Sequence, residues 1–158
     1  MKVIAYYNPT NINIEISEIT LLSIEEYEAA QKNIPVIPEW WWLRSPGGYD
    51  ARAAGVSIGG SVDDFGNYVN FNYFCVRPAL RISNLACFNL HAKDTIRLAG
   101  KNWTVISEDL ILCDESVGNC SFRKDYQAPD ANVYEKSDVK KWLENWAAEN
   151  GIEITAQN

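Results

Sequence analysis

Trp40-Trp41-Trp42-Leu43-Arg44-Ser45-Pro46-Gly47-Gly48 is the stretch on which the reading of the fold turns. Its bulky apolar run followed by Pro-Gly-Gly predicts a strand and then a turn. Alternation along a strand sends Trp41 and Leu43 to one face and Trp40 and Trp42 to the other, so at least one of the tryptophans belongs to a core. Arg44 lies among apolar neighbours, where its stem is buried and its head pairs with a carboxylate or with loop carbonyls. Arg77 has the same setting in Cys75-Val76-Arg77-Pro78-Ala79-Leu80-Arg81-Ile82, a second strand that Pro78 places at an edge or a bulge.

Between these two blocks the composition changes. Residues 49–74 are rich in Gly, Ser, Asn, Asp and Tyr, with brief strand signals at 55–58 and 68–74. Upstream, Leu22-Ser23-Ile24-Glu25-Glu26-Tyr27 predicts a capping box of Ser23 and Glu26 with Leu22 and Tyr27 as a hydrophobic staple. That helix should end near Asn33, because Pro35 disfavours helical geometry at Ile34. Downstream, Thr95–Leu98 and Trp103–Ile106 flank a turn at Ala99-Gly100-Lys101-Asn102, and Leu110–Cys113 adds a further strand. Residues 114–136 read as polar and irregular. Ser137 caps the clearest helix, in which Val139, Trp142, Leu143 and Trp146 recur at helical period until Gly151 stops it. The expectation is an α+β chain of two short helices, short antiparallel strands and long loops, not a doubly wound sheet. It is read as one domain over 1–158, with one half at 19–82 and another at 94–150.

The 158 residues suit a single domain, and 47% hydrophobic with 22% charged residues excludes a disordered chain. A net charge of −7, with only the middle third mildly positive, argues against nucleic acid as a partner. No apolar run reaches the ~20 residues of a membrane helix. The opening residues are too few and too polar for a signal-peptide core, which makes the cytoplasm or a phage particle the default location. Cys75, Cys87, Cys113 and Cys120 form no CxxC pair and are read as reduced, mostly buried thiols. His91 is the sole histidine and reads as a loop or hairpin residue, which disfavours zinc and most Ser/His or Cys/His catalysis.

Trp41-Trp42-Leu43-Arg44-Ser45-Pro46-Gly47 and Val76-Arg77-Pro78-Ala79-Leu80 resemble the paired signature of an uncharacterised domain family of gut Firmicutes and their phages. Leu21-Leu22-Ser23, Gly100-Lys101-Asn102-Trp103-Thr104-Val105 and Ser137-Asp138-Val139-Lys140-Lys141-Trp142-Leu143 are similar to further blocks of that family, so the likeness spans about 19–146. In the family the Gly-x-x-Trp strand and the Trp-Leu helix precede the two signature blocks, whereas here they follow them, as in a circular permutation. The resemblance implies a C-type-lectin-like fold, related to formylglycine-generating enzymes and to the variable receptor-binding proteins of diversity-generating retroelements. In the latter, the diversified residues lie between blocks similar to these two.

The function expected from these residues is noncatalytic recognition of a protein or glycan. Tyr49, Asp50, Arg52, Asn67, Tyr68, Asn70, Asn72 and Tyr73 are the candidate contact residues, since Tyr covers much area at low entropic cost and Asn both donates and accepts. A strand from Asn67 would turn Tyr68, Asn70, Asn72 and Phe74 to the ligand and Val69, Phe71 and Tyr73 to the core. Trp41, Arg44, Arg77, Trp103 and Trp142 are assigned structural roles. Alternatives are a structural, oligomerising subunit of a phage or cell-surface assembly, and a formylglycine-generating-type oxidase using Cys75 with Cys87 or Cys113 with Cys120. Asp63-Asp64 reads as a solvated turn before it reads as an acid–base pair. Asp63, Asp64 and Asn67 are thin support for a hard cation, and no metal or cofactor is expected.

Overall fold

A computed structural model describes residues 3–155. Seven antiparallel strands form one sheet in the order β2 (Thr10–Ile14), β1 (Val3–Tyr7), β9 (Thr95–Leu98), β10 (Lys101–Val105), β11 (Leu110–Cys113), β8 (Ala79–Ile82) and β3 (Ile16–Thr20). A second sheet runs β12 (Gly118–Asn119), β7 (Cys75–Val76), β4 (Trp41–Pro46), β5 (Arg52–Val56) and β6 (Val62–Tyr68), with β4 and β7 parallel and the other pairs antiparallel. Two helices, α1 (Ile24–Ala30) and α2 (Asp138–Glu149), complete an α+β architecture. None of the helices among the described residues is long and apolar enough to cross a membrane.

The strand β4 divides two cores. Trp42 packs with Phe74, Val76, Trp103, Phe122 and Leu143 on one side, while Trp41 and Leu43 join Leu22, Tyr27, Val56, Cys75 and Leu112 on the other. The alternation expected along Trp40–Leu43 is therefore present, and both of its faces are covered, Tyr27 and Ala30 of α1 joining Ala79, Leu110 and Leu112 of the large sheet on the second side. Trp40 is only partly buried, at the margin of the first core.

Local signals act where they were expected. Ser23 and Glu26 form the capping box, and the helix tightens into a single 310 turn at Gln31–Asn33. The β9–β10 hairpin is tighter than the four-residue turn anticipated. Ala99 and Gly100 form its whole loop with φ of 55° and 73°, the left-handed pair that matches strand twist. Trp103 is fully buried, its Nε1 donating to the Leu98 carbonyl at 3.0 Å. On α2, Val139, Leu143 and Ala147 face the core. Trp142 lies at the helix flank, so close over Gly118 that a Cβ there would be 2.6 Å from the indole.

Three strands come from residues 3–20, a stretch in which the sequence reading had placed none. Val3, Ala5, Ile12, Ile14 and Ile16 line the first core, with polar residues such as Asn11 and Asn13 outside. Strands from both sequence halves interleave in the large sheet, where β9–β11 separate β1 from β8.

Glu26 ties helix to sheet. Its carboxylate accepts the Ser23 N–H, Arg44 Nη1 and Arg81 Nη2, and Arg81 also reaches Asp109 and Glu18. Burial by itself would raise this carboxyl, but the bonds from Arg44, Ser23 and Arg81 outweigh it and hold the group at about 2. A carboxyl depressed in the folded state contributes stability that is present above the unfolded value and lost as pH falls through the folded one. Acidification from pH 5 towards 2 should therefore remove about 2 kcal/mol from this group, after allowance for its partial exposure. Glu26→Gln should flatten that part of the stability curve, measured by urea denaturation at each pH. An unchanged acid limb would refute the assignment.

Candidate functional site

Within the segment 49–74, β5 and β6 pair as a hairpin with an aromatic outer surface, and the two brief strand signals expected there differ from these strands in their bounds. The strand signal at 55–58 belongs to β5, which begins earlier at Arg52, and the one at 68–74 belongs to β6, which begins at Val62 and stops at Tyr68. Asp63 and Asp64 accordingly lie on an edge strand, not in a turn. Beyond Tyr68 the chain turns, the Phe71 N–H reaching back to the Tyr68 carbonyl at 3.1 Å, so strict alternation ends there. Two residues change sides as a result. Phe74, expected to face the ligand, is buried against Trp42 with ring centroids 4.3 Å apart, and Tyr73, expected in the core, is 58% exposed. Val69 is buried and Phe71 half-buried, while Tyr68, Asn70 and Asn72 are exposed, as expected.

What the fold brings together is a strip of rings around one guanidinium. Arg52 stands on β5 with its Cζ 4.2 Å from the Tyr68 ring centroid, 4.5 Å from that of Phe65 and 5.2 Å from that of Tyr49. Its Nε donates to the Tyr49 hydroxyl at 2.8 Å and its Nη1 to the Gly66 carbonyl at 2.7 Å. The Tyr49 hydroxyl in turn donates to that of Tyr68 at 3.3 Å. Hydrogen bonding with Tyr68 and Arg52 holds the Tyr49 phenol below its ordinary value, and the bond to Tyr49 raises Arg52. From this centre the rings continue edge to face from Tyr68 to Phe71, stacked from Phe71 to Tyr73 at 5.1 Å, and on through Phe74 to Trp40. Each exposed ring is thus backed by another.

Glycines and distant side chains hold the strip in place. The Pro46-Gly47-Gly48 turn lies on β6, Gly48 N–H donating to the Phe65 carbonyl at 2.8 Å, and a Cβ on Gly47 would fall 2.4 Å from that oxygen. Gly66 has φ of 88°, and a Cβ there would meet the Ala53 carbonyl at 2.3 Å, so only glycine permits the bulge that offers its own carbonyl to Arg52. Asn132, buried, donates from Nδ2 to the carbonyls of Tyr49 and Arg52, each at 3.1 Å. Asn119 donates to the Tyr73 carbonyl at 2.7 Å and Ser121 to that of Asn70 at 3.1 Å.

Of the candidate contact residues, Tyr49, Asp50, Tyr68, Asn70, Asn72 and Tyr73 are exposed, and Arg52 and Asn67 half-buried. Sequence reasoning missed Phe65, which is 53% exposed and stacks on Arg52; an aromatic between Asp64 and a glycine was the available signal. It also missed Asn132, for which position 132 carries no local signal. Trp41 and Arg77 are buried, Arg44 pairs with Glu26, and the Arg77 Nε and Nη2 donate to the Cys113 and Pro35 carbonyls at 2.7 and 2.8 Å beneath the Trp41 ring.

All four cysteines are free thiols, two buried, Cys120 partly so and Cys87 exposed on a 310 turn. Burial raises Cys75, pushes Cys113 up to about 11 and Cys120 to about 12. His91 is an exposed loop side chain. Among the described residues no three His, Cys, Asp or Glu side chains converge to hold a metal. A cleft of about 830 Å³ lies elsewhere, between β3 and α2, lined by Glu18, Tyr134, Glu135, Lys140, Glu144 and Ile152.

No family model, curated protein or solved structure matches this chain.

Proposed function

We propose that the chain is a noncatalytic recognition module on a C-type-lectin-like scaffold, and that the strip from Phe65 through Arg52 to Tyr73 is its contact face. One observation carries the reading: exposed Tyr and Phe rings converge on a single arginine whose position is set by buried partners. Arginine and tyrosine dominate binding hot spots, and rings already locked in place lose little entropy when a partner covers them. The thiols support the same reading, since burial keeps Cys75, Cys113 and Cys120 protonated and unreactive near neutral pH.

The triple variant Tyr49→Ala/Tyr68→Ala/Tyr73→Ala tests it, compared with the parent on arrays of displayed peptides and immobilised glycans. Affinity for any ligand of the parent should fall by several kcal/mol, at least a hundredfold, with the melting temperature little changed. A folded triple variant that keeps the parent's ligands at undiminished affinity would overturn the proposal.

A further inference from the structure

Resting on that reading, we infer that the strip takes a protein surface on which lysine or arginine side chains stand beside apolar ones. Anions are poorly served. The Arg52 Nε and Nη1 donate to Tyr49 and Gly66 and its plane is covered by rings, so fewer than the five donors of a free guanidinium remain for a phosphate, sulfate or carboxylate. Along residues 39–74 carboxylates outnumber cations four to two. Asp50 follows Tyr49, Asp63 and Asp64 precede Phe65, and Glu39 precedes Trp40 at the far end. Of the two cations, Arg44 is paired to Glu26 and Arg52 is the centre of the strip; nearby, Arg123 is paired to Asp130 and Lys124 stands beside it on the loop that bonds Val69.

Relief separates protein from glycan. Sugars stack on open, coplanar ring faces, but Tyr49 and Phe65 meet at 69° and Tyr68 and Phe71 at 80°, leaving a ridged surface of edges and faces. Side chains of a protein can interdigitate with such ridges, and an acidic rim then meets basic groups around an apolar centre. A second copy of this chain is disfavoured by the same charges, since a two-fold contact would set one acidic rim against another in a chain of net charge −7.

The test uses the whole chain and immobilised short peptides of equal Leu and Phe content, carrying Lys/Arg, Ser/Gln or Asp/Glu at the remaining positions. Neutral oligosaccharides of glucose and N-acetylglucosamine accompany them. Basic peptides should bind at least about tenfold more tightly than either other set, with affinity falling as salt rises from about 0.05 to about 0.5 M. Asp63→Asn/Asp64→Asn should weaken that binding about threefold or more, the amide at 63 still able to accept the Gly66 N–H. Tyr49→Ala/Tyr73→Ala, which leaves the charge unchanged, should weaken it at least tenfold. Equal binding of neutral peptides, basic-peptide binding that survives the tyrosine changes, or retention of no peptide at all would each overturn the inference. Oligosaccharide binding lost in the tyrosine variant would overturn it as well, while leaving recognition by this face intact.

Discussion

Arg77→Ala is expected to lower the unfolding free energy by about 3–5 kcal/mol, or the melting temperature by roughly 10 °C for a chain of this length. The side chain is fully buried, and it does three things at once. It donates to the carbonyls of Cys113 and Pro35, and it fills the space below Trp41. Burial pulls the guanidinium down to about 10 against the opposing pull of Asp114, so it remains charged at neutral pH. Alanine would leave the buried Cys113 carbonyl and the Pro35 carbonyl without this donor, and a void against the largest side chain of the second core. Arg77→Lys should lie between, keeping a charge but losing the planar contact with Trp41 and the two-pronged donation. Chemical denaturation with circular dichroism reads the difference. A loss below about 1 kcal/mol would mean that the arginine does not join the 34–37 segment to β11 in the manner described.

Trp42→Ala is expected to cost a similar amount, about 3–5 kcal/mol, and to act on the contact face as well as on stability. Trp42 has no exposed surface, donates from Nε1 to the Cys120 carbonyl at 2.9 Å, and packs against Phe74 and Phe122. Phe74 is the ring behind Tyr73 and Trp40, so its loosening should reach the outer end of the strip while Arg52, Tyr49 and Phe65 stay ordered. Trp42→Phe should recover most of the stability. Hydrogen exchange reads the coupling: amides of 70–75 should lose protection before those of β5 and β6. Uniform loss across the hairpin would refute the proposed path.

How much was legible follows from the range of each interaction. Both helices, the β9–β10 hairpin and the two-faced strand at Trp41–Leu43 rest on neighbours within one or two turns of chain. Capping boxes, primed turns and alternation are written in such short windows. The anchoring arginines were legible too, because a cation among apolar residues has few ways to be satisfied. The alternation assumed for 67–74 failed for the converse reason. Asn70 is the one local mark of the turn at Tyr68–Phe71, and the backbone there and beyond it is pinned by Ser121 on the Asn70 carbonyl and Asn119 on that of Tyr73, 51 and 46 residues away.

The sequence by itself therefore determined both helices, the β9–β10 hairpin, the strand at Trp41–Leu43, the α+β class, the candidate stretch and most of its exposed tyrosines and asparagines. Tertiary structure alone decided that Tyr73 faces out and Phe74 in, that Phe65 completes the cage around Arg52, and that residues 3–20 supply three strands of the large sheet. Propensity and periodicity are local. The strip depends on a carbonyl that Gly66 presents at φ 88° and on a buried amide at Asn132 that reaches Tyr49 across 83 residues, and such meetings exist only after the chain has closed on itself.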